Sequence, residues 1–222
     1  MNINHELCGK IAGVLATIGF IPYAVAILRK NDPIVPSKAS WIIWTVVGSV
    51  VALSYKASGA SSTLWVPISY AVCPILILLA TFYKNREKEK WPRVDKVCLG
   101  IGITLFIPWA SFKLIQRFNI VPSWGWILPL ISLYGGITVD AFGAIPTVVK
   151  AWKDPKSEDF WGWTFYVLGG IVNLFAIEDW SWNVAAYPIY VLTPAFILWP
   201  SLFIYRLKKC KLSSSTAPVS HK

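Results

Sequence analysis

DAFGAIPTVVKAWKDP, residues 140–155, sets a carboxylate inside an apolar run, then a proline, then a basic exit closed by Asp-Pro. A weaker copy lies near the N-terminus: Gly19-Phe20-Ile21-Pro22, then Lys30-Asn31-Asp32-Pro33. The correspondence continues in the same order. Trp41 and Gly48 match Trp163 and Gly170, and Tyr70 with Pro74 matches Tyr190 with Pro194. Matches that keep one order, with small gaps in the loops, mark an internal repeat, so one half of the chain should repeat the fold of the other.

The composition places that repeat in a membrane. Of 222 residues, 55% are hydrophobic and 14% charged, where a soluble domain carries about 25% charged residues. The mean hydropathy is +0.55. Seven apolar runs are long enough to span a bilayer, allowing for tilt. They cover Cys8–Leu28, Ser40–Ala57, Leu64–Tyr83, Val97–Ile115, Trp126–Trp152, Trp161–Ile177 and Val184–Tyr205. No cleavable leader is evident, so the first run is expected to be retained. The formal charge of +10 comes from lysines and arginines in the connections. It points to positive cytoplasmic loops rather than to nucleic acid. Seventeen of the 21 basic residues fall on one side if the N-terminus is outside and the C-terminus inside. The loop with Glu178 and Asp179 is then external and has no basic residue.

These spans predict an all-α membrane protein. Residues 1–83 form a first triple-helix repeat. Residues 84–125 hold a cytoplasmic loop, a linker helix and an outer loop. Residues 126–206 form the second repeat, and 207–222 a polar tail. The single linker span restores the orientation that three spans invert, so the two triple-helix bundles are parallel, N-out and C-in. Cys8, Cys73, Cys98 and Cys210 have no metal-ligand spacing, and no cofactor or metal is expected. His5 and His221 sit at the termini and receive no role.

Asp140 is the sharpest functional candidate, since an ionisable group within a span is functional by default. Gly136, Asp140, Gly143 and Thr147 share one helix face, matched by Ala12, Ala16, Gly19 and Tyr23. Asp140 on that face can hold and release a proton; the alternative is a structural acid bonded to a neighbouring helix. Tyr166, Gly169, Gly170 and Asn173 share a face of the sixth run, matched by Trp44, Val47, Gly48 and Val51. The Asn173 amide can bond a polar solute, or another helix instead. Trp44 and Tyr166 can stack on a ring, and Thr147 and Tyr23 join them as candidate solute contacts. Pro22, Pro146, Pro74 and Pro194 break their helices at matched places, as hinges or as fixed kinks. Trp65, Trp91, Trp124, Trp126, Trp152, Trp161, Trp180 and Trp182 fit an interfacial belt. Asp32, Asp154, Glu158 and Asp159 are expected to be solvated loop charges rather than gate ion pairs.

A three-plus-one-plus-three repeat carrying Ile21-Pro22 and Ile145-Pro146 resembles the PQ-loop and SWEET/SemiSWEET superfamily. It is also similar to uncharacterised bacterial membrane proteins of that shape. The motif's glutamine is replaced by Tyr23 in one half and Thr147 in the other. The resemblance implies facilitative or proton-coupled transport of a small polar solute, with the prolines as gating hinges. It also implies that Asn173 and Trp44 line the solute pocket. The expected function is therefore an alternating-access carrier for a small polar metabolite, such as a sugar, an amino acid or a nucleoside-type vitamin. It would act as a monomer or homo-oligomer in a bacterial inner membrane, or second in an endomembrane. A seven-helix binding receptor or cargo-recognition protein is the alternative. An integral membrane enzyme is less expected, because no span holds clustered His, Cys or paired carboxylates.

Overall fold

Apolar runs bounded by capping residues become helices throughout. The structure, a computed structural model, describes residues 4–29, 34–84, 92–101, 103–104 and 128–215. Its helices are α1 (His5–Leu28), α2 (Lys38–Ala57), α3 (Trp65–Lys84), α4 (93–101), α5 (Leu128–Lys153), α6 (Phe160–Leu174) and α7 (Trp182–Ser215). Short 3-10 turns precede α3, at Ser62–Leu64, and α6, at Pro155–Ser157. There is no strand among the described residues.

Side chains fix several helix starts. Asn4 accepts from the Leu7 N–H at 3.0 Å, Ser37 from Ser40 at 3.3 Å, and Asp159 from Gly162 at 2.5 Å. Each such cap stabilises its helix by about 1 kcal/mol. Ser37 and Asp159 occupy matched places, four residues past the two Asp-Pro pairs and five, respectively, counted from proline and aspartate.

Among the described residues five helices are long and apolar enough to cross a membrane: the stretches His5–Leu28, Lys38–Ala57, Ser62–Tyr83, Leu130–Lys153 and Trp182–Lys211. The 24 residues of α1 extend about 36 Å at 1.5 Å per residue, against roughly 30 Å of hydrocarbon. The 15-residue α6 extends about 22 Å. Most of the expected fourth span lies outside the described residues, as do Asp32-Pro33, Trp91, Trp124, Trp126 and His221.

The surface is apolar where water would disfavour it. Leu7, Ile11, Val14, Ile18, Ile21, Val25 and Leu28 form one outward stripe along α1 and are 36–59% exposed. Phe82, Leu79 and Val72 on α3 and Phe196 and Ile197 on α7 behave alike. Exposed apolar area on this scale is compatible with an integral membrane protein. Trp65, Trp152, Trp161, Trp180 and Trp182 are all exposed near helix ends, where amphipathic rings meet headgroups.

Packing orders the helices into a ring. Helix α3 packs against both α1 and α2, and α7 against both α5 and α6. Helix α1 lies along α6, and α2 along α5, which closes the circuit. Small residues permit the crossings. A Cβ on Gly19 would come within 2.7 Å of the Tyr166 ring, and one on Gly143 within 2.8 Å of Ile43. The inward face expected on α1 (Ala12, Ala16, Gly19, Tyr23) is buried throughout, as are Gly136, Gly143 and Thr147 on α5.

Candidate functional site

The ring encloses a small cavity of about 40 Å³. Its wall includes Trp41, Trp44 and Gly48 of α2, Tyr70 and Pro74 of α3, Asp140 of α5, Trp163 and Tyr166 of α6, and Tyr187, Val191, Pro194 and Ala195 of α7. Three pairs in this wall are positions matched in sequence: Trp41 with Trp163, Trp44 with Tyr166, and Pro74 with Pro194. Their local geometry also corresponds. The Trp41 and Trp44 rings stand edge to face, with centroids 5.0 Å apart at 86°. Trp163 and Tyr166 do the same at 5.4 Å and 88°.

Asp140 is the one acid among the described residues of the wall. Its Oδ2 accepts a hydrogen bond from the Tyr190 hydroxyl at 2.5 Å. The indole N–H of Trp44 donates to the Asp140 backbone carbonyl at 3.3 Å. The Tyr166 hydroxyl is buried and has no hydrogen-bond partner, an unusual state for a buried polar group and one that a bound molecule or water would relieve. Aromatic faces, one carboxylate and one unpaired hydroxyl are the chemistry of a site for a small polar ring or cation.

Hydrogen bonds tie the elements together at both ends of the bundle. On the lysine-rich face, Tyr23 donates to Glu158 Oε2 at 2.5 Å and Thr147 to Ser40 Oγ at 2.8 Å. The Val35 N–H bonds the Ser157 carbonyl at 3.1 Å, and the Lys150 ammonium bonds the Val35 carbonyl. On the opposite face, the Tyr55 hydroxyl donates to the Val184 carbonyl at 2.6 Å, and Ser62 is bonded to Glu178. His5 Nδ1 lies 2.9 Å from the Phe175 carbonyl oxygen. The cavity has room for a few waters, at about 10–15 Å³ each. Ligand pockets run to about 300–1,000 Å³, so a metabolite needs one end to open and the wall to spread.

The expected site residues divide into four groups. Asp140, Trp44, Tyr166, Pro74 and Pro194 meet in the wall. Tyr23 and Thr147 do not line it; they hold contacts at the lysine-rich end. Pro22 adjoins Tyr23 inside α1, while Pro146 lines a separate cavity of about 210 Å³ between α2, α4 and α5, with Lys38, Lys150 and Lys153. Asn173 is fully buried, its two amide atoms lack partners, and it is not among the residues lining the cavity.

One expectation is corrected. Glu158 is not a solvated loop charge; it is 4% exposed. Its Oε2 accepts from Tyr23 and, at 3.1 Å, from the Trp163 indole N–H. Burial pushes its carboxyl up to about 7, against the lowering pull of those bonds and of Lys150. Asp159, the next residue, caps α6. Trp41, Trp163, Tyr70 and Tyr187 were not singled out for the site, although three of them carry a signal: Trp41, Trp163 and Tyr70 belong to the matched set. Among the described residues no three His, Cys, Asp or Glu side chains gather as a metal site would require.

Compared with family models, with curated proteins and with solved structures, the chain matches none of them.

Proposed function

We propose that this protein is a small-solute carrier that works by alternating access, with Asp140 coupling solute movement to a proton. The observation that carries the reading is the central cavity. Matched residues of the two halves wall it, and Asp140, an acid in that wall, sits on a helix long and apolar enough to cross a membrane. Hydrogen-bonded contacts at both ends of the bundle support gates in such a cycle, since a few such bonds can be exchanged for water.

The finer architecture belongs to the same proposal. The ring order α1–α3–α2–α5–α7–α6 supports two parallel triple-helix units, α1–α3 and α5–α7, joined by a linker span. A two-fold axis along the membrane normal would exchange α1·α6 with α5·α2, and α3 with α7. Seven spans, N-out and C-in, follow from the lysine distribution. A bacterial inner membrane is the proposed location, and prolines at matched places are the proposed hinges.

The solute is a small polar metabolite: a sugar, an amino acid or a nucleoside-type vitamin. The test is uptake into proteoliposomes across a panel of these. Accumulation of one of them, abolished by Ala195→Phe, is the expected result, because Ala195 lines the cavity and a phenyl ring there fills it. Binding of a panel member with no flux would replace the carrier by a receptor.

A further inference from the structure

Residues Asp154–Asp159 turn from α5 into α6 across the lysine-rich face. Glu158 points back into the protein from this strap. One carboxyl oxygen takes two bonds, from Tyr23 on α1 and Trp163 on α6. The other, Oε1, is buried and has no partner. The strap is also tied to the α1–α2 connection through the Ser157 carbonyl and Val35 N–H.

The charged and titratable groups around Glu158 come from each element packed there. Helix α1 gives Tyr23. Helix α6 gives Tyr166, and the strap itself Asp159. Helix α5 gives Lys150, whose ammonium is bonded to the Val35 carbonyl. From α7, Arg206 lies over the rings of Phe160 and Trp161, at 4.6 and 4.9 Å from their centroids. A buried carboxylate with an unpaired oxygen is unfavourable, whereas a neutral carboxyl is far less so. Burial accordingly holds the group near pH 7 rather than at its ordinary 4.5. Trp163 belongs both to this contact and to the wall of the central cavity, so parting the strap from the bundle disturbs the cavity.

We propose that Glu158 is a proton-binding site in the gate on the lysine-rich face. It holds a proton while Tyr23 and Trp163 close over it, and passes the proton to water on that side when they part. Only an O–H bond of the carboxyl breaks, and the proton goes to solvent. The sign follows from the direction of the shift. The closed arrangement binds the proton more tightly than the open one, so low pH favours closure and rising pH favours opening. Its use in transport rests on the carrier reading above; the proton site does not.

Hydrogen exchange of the whole protein in lipid nanodiscs tests this without any solute. The amides to follow are Val35, Ser157 and Glu158, whose bonds hold the strap. Their protection, corrected for the intrinsic pH dependence of exchange, should fall by tens-fold between pH 5 and pH 8, on the order set by a carboxyl that titrates near 7 closed and near 4.5 open. In Glu158→Gln it should stay high and flat. Tyr23→Phe keeps the carboxyl but removes a donor that favours its ionised form, so the midpoint should move to higher pH. Protection that ignores pH in the wild type, or falls equally in Glu158→Gln, overturns the proposal. So does an unmoved midpoint in Tyr23→Phe. If the profile appears and no solute on the panel is carried, the proton site stands and the carrier reading fails.

Discussion

Tyr190→Phe removes a single oxygen and leaves Asp140 Oδ2 without its donor. The bond is 2.5 Å long, the range of a hydroxyl held by a carboxylate. Hydrogen bonds to charged groups contribute about 1.5–3 kcal/mol, so the substitution should destabilise the fold by about 2 kcal/mol. For a chain of this length, that is a fall in Tm of roughly 4–8 °C. Asp140→Asn keeps an acceptor for Tyr190 and loses only the charge-assisted part, about half the bond. The double variant should then resemble Tyr190→Phe alone, because the bond is already lost and an amide is left without a donor in place of the carboxylate. Unfolding in mixed micelles, followed by far-UV circular dichroism, gives the three values. Coupling of about 1 kcal/mol or more between the two sites is expected. Additivity within about 0.5 kcal/mol would show that the two groups do not interact, and would remove the support given to Asp140 in the cavity wall.

Four further outcomes follow. Gly48→Ala puts a Cβ 2.4 Å from the Tyr70 carbonyl oxygen and 3.2 Å from its carbon, so an overpacking loss of about 1–3 kcal/mol is expected in chemical unfolding. Gly100→Ala meets no described residue within 4 Å and should be neutral or stabilising, by up to about 1 kcal/mol. The Glu158 carboxyl, raised from 4.5 to about 7, contributes stability that is present below pH 4.5 and lost as pH rises through 7. That loss amounts to about 3 kcal/mol at 1.36 kcal/mol per unit; pH-dependent melting should show it in the wild type and not in Glu158→Gln. Cys210 is exposed and belongs to the basic C-terminal end, so an impermeant maleimide should label it in inside-out vesicles and not in right-side-out ones.

How far the sequence could be read depends on where the determining contacts lie. The apolar runs define α1 through α3, α5, α6 and the start of α7 to within a few residues, because chain-local hydrophobicity and caps such as Ser37 and Asp159 set them, whereas α7 continues ten residues past its apolar run, to Ser215. Asp140, Trp44 and Tyr166 were legible because a lone acid and paired aromatics stand out against apolar spans. Glu158 was not. Its neighbours Lys156 and Asp159 look like any loop, and only the return of the strap onto Tyr23 and Trp163 buries it. Tyr23 and Thr147 share faces with residues of the bundle interior, yet they stand one position past Pro22 and Pro146. Both are fully buried, and their hydroxyls are taken up in contacts with other elements rather than facing the cavity. Tyr187 joins the cavity only through closure of the ring by α7, a long-range event with no local signature.

The central claim is that a solute crosses the membrane through this cavity with Asp140 carrying a proton. Uptake into proteoliposomes with and without an inward proton gradient, comparing wild type with Asp140→Asn, tests it most directly. The account predicts gradient-driven accumulation of one panel solute in the wild type, reduced to passive equilibration or less in the variant. Flux indifferent to both the gradient and the substitution would contradict the coupling role, and binding without any flux would contradict the carrier itself.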